Sequence, residues 1–340
     1  MSEPVAATKE PPKKPEQGLG TRLVNEIVSG PGWVVTILSI ILALVAGAIL
    51  IVLSDQSVLD KYGYFFSSPG DALSGSWNDI SNAYVALFKG AIFDPGNAYD
   101  ATHFFRPITE TITEATPLIF GGLAVGAAFR AGLFNIGGQG QLIVGAICAT
   151  WAGFTITEPP VIAMIIAVLA GILGGAVYGG LVGYLKATTG AHEVIVTIML
   201  NYVALNFLQW LIKTNEFAQP GNIQPISKSV SGNARLPHLF GHDLRVNLGI
   251  VIAIVAALFV WWLFNRSTLG FQLRAVGANQ KAARTAGMNV GRNQIMAMVI
   301  SGGLMGLVGV SQVLGTANAN NALTPQIDAG LGFTAITVAL

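Results

Sequence analysis

Trp33 to Leu53 reads WVVTILSIILALVAGAILIVL, 21 residues without a charge. At 1.5 Å per residue a helix of that length reaches roughly 30 Å, the thickness of a bilayer's hydrocarbon core. A cleaved leader carries a shorter apolar region, about 7 to 15 residues, so the segment is read as an anchored spanning helix. The rest of the chain agrees with this reading. Of its 340 residues 52% are apolar and 10% charged, and mean hydropathy is +0.61. Soluble domains carry about 25% charged residues, and so little charge cannot cover a water-facing surface of this size. A net charge of +1 also excludes a basic face of the kind that binds nucleic acid. Cys148 stands alone inside an apolar run, where it is expected to pack as a small hydrophobe.

Further apolar segments are Pro117 to Phe129, Leu142 to Phe154, Val161 to Leu185, Val194 to Ile212, Leu248 to Phe264 and Ile295 to Gly315, with another opening at Gly330. The expected fold is all-α, a polytopic membrane helix bundle of about eight crossings, the last incomplete, with a discontinuous region near 130–141. Residues 1–32, with Pro11, Pro12 and Pro15 among Lys9, Glu10, Lys13 and Lys14, are expected to be a disordered tail, and 33–340 the membrane domain.

Orientation follows from Lys and Arg. Residues 265–294 hold Arg266, Arg274, Lys281, Arg284 and Arg292 and no acid, which predicts a cytoplasmic loop. Counting crossings from there puts the N-terminal tail, Arg130 and Lys186 inside. Segments 54–116 and 213–245 then fall outside, with Asp55, Asp60, Asp71, Asp79, Asp94 and Asp100 in the first of them. Ile80 to Phe93 is amphipathic at a helical period and suits a helix on the surface or against the bundle. The 213–245 segment, with Pro220, Pro225 and Pro237, reads as an irregular cap that could receive a partner.

Glycine supplies 41 residues, and Gly171, Gly175, Gly179 and Gly183 recur every fourth position of one predicted helix. That spacing predicts a packing stripe where another backbone comes close, against a general enrichment of glycine in membrane helices.

Arg130-Ala-Gly-Leu-Phe-Asn-Ile-Gly-Gly-Gln-Gly-Gln141 is too polar and glycine-rich to continue a lipid-facing helix. Irregular backbone at membrane depth survives only where protein or a water-filled cavity satisfies it, and such breaks commonly build transport sites. Asn135, Gln139 and Gln141 are therefore candidates for a translocation pathway, against an ordinary cytoplasmic turn. Glu193 opens the next helix, where it can simply favour the positive helix end, and Asn201 lies deeper, facing either a path or the bundle. Asn318, Asn320 and Asn321 read as a turn, against the edge of an external vestibule. Thr116 to Leu123 and Thr324 to Leu331 share T-P-x-I-x-x-G-L, with chance a serious competitor to a repeat.

Some chemistry is missing. The chain has no G-x-x-x-x-G-K-[ST] phosphate cradle, no H-E-x-x-H and no G-x-S-x-G. His238 and His242 flank Gly241 in a proline-containing loop, so no metal site is expected. The apolar cores carry no acid of the kind ion-driven carriers use, Asp328 lying outside the complete ones, so energy is expected from another subunit. In the basic loop a short helix after Gly277, ending at Gly287, offers alanines as a docking surface. The alternative is a loop that only enforces topology and touches anionic lipid.

Three segments, Gly122 to Gln141, His192 to Tyr202 and Gly270 to Gly287, resemble the permease subunits of bacterial ABC importers in the branch serving branched-chain amino acids, simple sugars and nucleosides. The long segment after the first helix is most similar to the larger permease of nucleoside-type systems. The resemblance implies a non-catalytic transport subunit in the bacterial inner membrane, with a cytoplasmic N-terminus. It implies a second permease, a cytoplasmic ABC ATPase that holds ATP and Mg, an external substrate-binding protein and no cofactor on this chain. Coupling to the ATPase is then carried by Arg274, Gly277, Asn279, Ala282, Ala283 and Gly287. The importer pattern E-A-A-x-x-x-G has Lys281 in its acidic position here. The family continues with further helices beyond G-F-T-A-I-x-V-A-L, whereas this sequence stops at Leu340, so a chain shorter than its family is implied. A secondary carrier or facilitator working without an ATPase is the competing reading.

Overall fold

The computed structural model describes residues 31–97, 101–221, 224–241, 243–315 and 321–340. Nearly all of the expected tail, and Asp100, His242, Asn318 and Asn320, lie outside the described residues. The described chain is helical, without a strand, and forms two compact units, residues 1–88 and 89–340, each taken by itself below.

The first unit contains α1 (Gly32–Ser54), α2 (Gln56–Tyr62) and most of α3 (Pro69–Ala91). No residue of α1 is buried, as suits an all-apolar helix whose solvent is lipid. Asp55 stops α1 with extended backbone and caps α2, its carboxylate accepting from Ser57 N at 2.8 Å. Hydrogen bonding from the Ser57 side chain, and then from its backbone N–H, holds the Asp55 carboxyl below its usual range. Tyr84 of α3 donates to the Leu44 carbonyl, halfway along α1, so the amphipathic stretch from Ile80 lies beside α1. Its helix starts eleven residues before that stretch, at Pro69.

The second unit holds α4 (Ala101–Arg130), α5 (Gly138–Thr155), α6 (Pro160–Thr189), α7 (Glu193–Leu211), α8 (Gly249–Arg266), α9 (Thr268–Ala278), α10 (Gln280–Thr285), α11 (Val290–Val310) and α12 (Leu331–Ala339). Six helices among the described residues are long and apolar enough to cross a membrane, not the expected eight: α1, α4, α6, α7, α8, and α11 with its continuation to Gly315. Of the two other expected segments, α5 is diluted by its polar first turn Gly138-Gln139-Gly140-Gln141, and the one from Gly330 is represented by α12, Leu331–Ala339. Helix α4 begins at Ala101, well before Pro117, and carries Pro107 and Pro117 inside it. Hydroxyls of Thr113 and Thr116 bond back to the Thr109 and Ile112 carbonyls just before Pro117.

Helix α11 is the centre of this unit, buried without interruption from Ser301 to Val310. Gly171, Gly175, Gly179 and Gly183 of α6 are all buried and face it. A Cβ added to Gly175 would lie 2.8 Å from Gly306 Cα, and one on Gly183 2.8 Å from Ile295 Cα. The two backbones are therefore in direct contact. Cys148 sits on α5 against Gly174 and forms no disulfide.

The 213–245 segment is irregular and tied down by backbone hydrogen bonds. Ser231 N donates to Gly153 O, Leu236 N to Leu314 O, and Ser227 N to Leu323 O, over 2.9–3.1 Å. Arg245 reaches Glu110 of α4 at 2.8 Å. The two T-P-x-I-x-x-G-L stretches take different shapes, the first inside α4 and the second mostly in turns before α12.

Candidate functional site

Helix α4 ends in a Schellman arrangement. Leu133 N donates to Ala128 O at 3.0 Å and Gly132 N to Phe129 O at 2.9 Å, with Gly132 at φ +72°. A residue with a side chain would be strained at that φ, which is the reason for glycine two residues after Arg130. The chain then runs through residues 133–137 before α5 begins at Gly138.

Three buried amides hold this break. Asn135 Nδ2 donates to Gln141 Oε1 at 2.9 Å and to Ser301 Oγ at 2.8 Å. Its Oδ1 accepts from Gly137 N at 3.0 Å and from Gln141 Nε2 at 3.1 Å. The hydrogen-bonding capacity of Asn135 is thereby fully spent. Ser301 passes its proton on to Ala124 O at 2.7 Å, joining α11 to α4. Asn201 of α7 accepts from Gly140 N at 2.8 Å and donates to Ile136 O at 3.0 Å. Irregular backbone that would be ruinous in hydrocarbon is thus satisfied by side chains from two other helices.

The break lies well inside the bundle. Ser301 stands six residues past Ile295, about 9 Å into the apolar part of α11 at 1.5 Å per residue. Residues 133–141 are therefore anchored to the apolar part of α11.

Of the five residues proposed for a pathway, Asn135, Gln141 and Asn201 are brought together but are buried and engaged with each other or with backbone. Gln139 is half-buried and donates through Nε2 to Asp328 Oδ2 at 2.9 Å. Glu193 stands apart from this network and pairs with Lys186 at 2.6 Å. Sequence reasoning missed Ser301 and Thr197, both fully buried, Thr197 lying against Gly137. A hydroxyl within the glycine-rich run Ser301-Gly302-Gly303 was the available signal.

The basic loop forms two short helices rather than one. Asn279 separates them and caps α10, its Oδ1 accepting from Lys281 N and Ala282 N at 3.0 Å. Gly287 at φ +80° closes α10 with a second Schellman pair, Met288 N to Ala283 O and Gly287 N to Arg284 O, both 3.0 Å. Arg274, Asn279, Ala282 and Gly287 are exposed. Ala283 instead points inward, buried with Val276 and Val290. Gly277 packs against the end of α4: a Cβ on it would lie 2.8 Å from Gly132 N, and one on Gly132 2.9 Å from Gly277 Cα. The α9–α10 element therefore touches the backbone where the discontinuous loop begins.

The family model described as branched-chain amino acid transport system / permease component matches residues 108–340. The guanosine ABC transporter permease protein NupP of Bacillus subtilis (strain 168) is 38% identical over 309 residues, 90% of this chain and 78% of that protein. The nucleoside ABC transporter permease protein NupB of Lactococcus lactis subsp. cremoris (strain MG1363) is 36% identical, over 69% of this chain and 66% of that one. The glucose ABC transporter permease protein TsgB13 of Haloferax volcanii is 30% identical, over 68% and 63%. No solved structure matches the chain. A family match over residues 108–340, with these similarities, settles the class: the chain belongs to the branched-chain amino acid transport system permease family.

Proposed function

We propose that this chain is one permease subunit of an ATP-driven importer of nucleosides or sugars. Its path runs beside the break at 133–141, and α9–α10 is the cytoplasmic docking element for an ABC ATPase that binds ATP and Mg. A second permease completes the path, an external binding protein delivers the solute, and the N-terminal tail lies in the cytoplasm. The observation that carries the coupling part of this reading is the Gly132–Gly277 contact. It places a basic, exposed helix pair directly against the start of a satisfied, irregular segment deep in the bundle. The solute part is supported by the nucleoside and sugar permeases among the relatives.

Gly287 is a poor position for testing the docking role, because its positive φ penalises any substitution whatever the partner. Ala282, exposed on α10, is free of that difficulty. Ala282→Trp is expected to leave membrane insertion and yield unchanged and to remove the ATPase from the purified complex. Retention of the ATPase together with normal ATP-dependent uptake would refute the docking role.

A further inference from the structure

Gln139 and Asp328 meet where two broken segments converge. Gln139 lies in the first turn of α5, and Asp328 three residues before α12. A Cβ added to Gly332 would lie 2.6 Å from Gln139 Cα, so the two helix starts touch. One added to Gly138 would lie 2.7 Å from Met305 Cε. Met305 is ten residues past Ile295, where the apolar part of α11 begins, about 15 Å along that helix. The pair therefore lies beside the apolar part of α11, and an ionisable side chain among membrane helices is costly and normally serves function.

Its hydrogen bonding is incomplete, unlike that of Asn135. Among the described residues both bonds to Asp328 fall on Oδ2, one from Gln139 Nε2 at 2.9 Å and a long one from Gly330 N at 3.4 Å. Asp328 Oδ1 and Gln139 Oε1 are left as two acceptors on half-buried side chains. No Lys, Arg or His bonds to the pair among the described residues.

Two neighbouring acceptors and a negative charge select a neutral solute that offers two donors. They repel a carboxylate or a phosphate. We propose that Asp328 and Gln139 recognise the vicinal hydroxyls of the transported solute, the ribose 2′,3′-diol in a nucleoside. Amino acids and phosphorylated sugars are disfavoured at this point by the same carboxylate. The inference rests on the nucleoside or sugar reading above, and makes Asp328 a specificity-determining residue.

The test uses the intact importer in proteoliposomes, with guanosine and 2′-deoxyguanosine each presented on saturating, fully loaded binding protein, so that the capture step cancels. The wild type is expected to favour guanosine by about tenfold, the scale of one hydrogen bond to a charged group. Asp328→Asn keeps an amide partner for Gln139 but loses the charge. It is expected to assemble normally, transport guanosine about tenfold more slowly and bring the ratio near one. Gln139→Ala, which leaves the carboxylate, should lower the ratio part of the way. An unchanged ratio in an assembled variant of either kind overturns the diol assignment. A wild-type complex that takes up neither nucleoside overturns the solute reading instead, whatever Asp328 does.

Discussion

Gly302→Ala is expected to destabilise the permease by about 2 kcal/mol, whereas Gly303→Ala next to it is expected to be neutral or mildly stabilising. The added methyl at Gly302 meets the Gly175 carbonyl oxygen and lies 3.0 Å from Gly179 Cα, all backbone that no rotamer change can move. At Gly303 the nearest atom is 3.5 Å away, an ordinary contact. Both substitutions gain about 1 kcal/mol of helix propensity, so overpacking, about 3 kcal/mol, decides the sign at 302. Thermal unfolding in detergent measures the difference directly. Equal stability of the two variants would mean that α6 and α11 are not in backbone contact.

Asn135→Leu is expected to cost about 3 kcal/mol and most of the folded protein. It strands Gln141, Ser301 and Gly137 N, each a buried polar group that loses a partner, at about 1 kcal/mol or more apiece. Gln139→Ala should by contrast assemble, since Gln139 is half-buried and its one side-chain bond is to a half-exposed acid. Size-exclusion profiles of the two variants separate these outcomes. A monodisperse, full-yield Asn135→Leu protein that fails only in transport would return Asn135 to direct contact with the solute.

The long apolar runs made the bundle legible, because hydropathy over some 20 residues reports the solvent directly. The number of spans was less legible: the polar first turn of α5 keeps that helix below the hydropathy of the others, and α12 covers only Leu331–Ala339 of the given sequence. The break near 130–141 was legible from its glycines and amides. Which amide does what was not, since that depends on Ser301, 166 positions from Asn135, and on Asn201, 61 from Gly140. Composition cannot distinguish a saturated amide from an open one. Ala283 shows the same limit: the family resemblance groups it with the docking residues, yet it turns inward onto Val276 and Val290. The closeness of Gly277 to Gly132 is likewise a tertiary fact, which joins two segments the sequence shows only separately.

The most direct test of the whole account is uptake of labelled guanosine by proteoliposomes holding the permease pair and its ATPase, with loaded binding protein outside. Uptake is expected with ATP inside and to stop when a non-hydrolysable analogue replaces it. Uptake that continues without ATP hydrolysis and follows an imposed ion gradient would contradict the importer account and make the protein a secondary carrier.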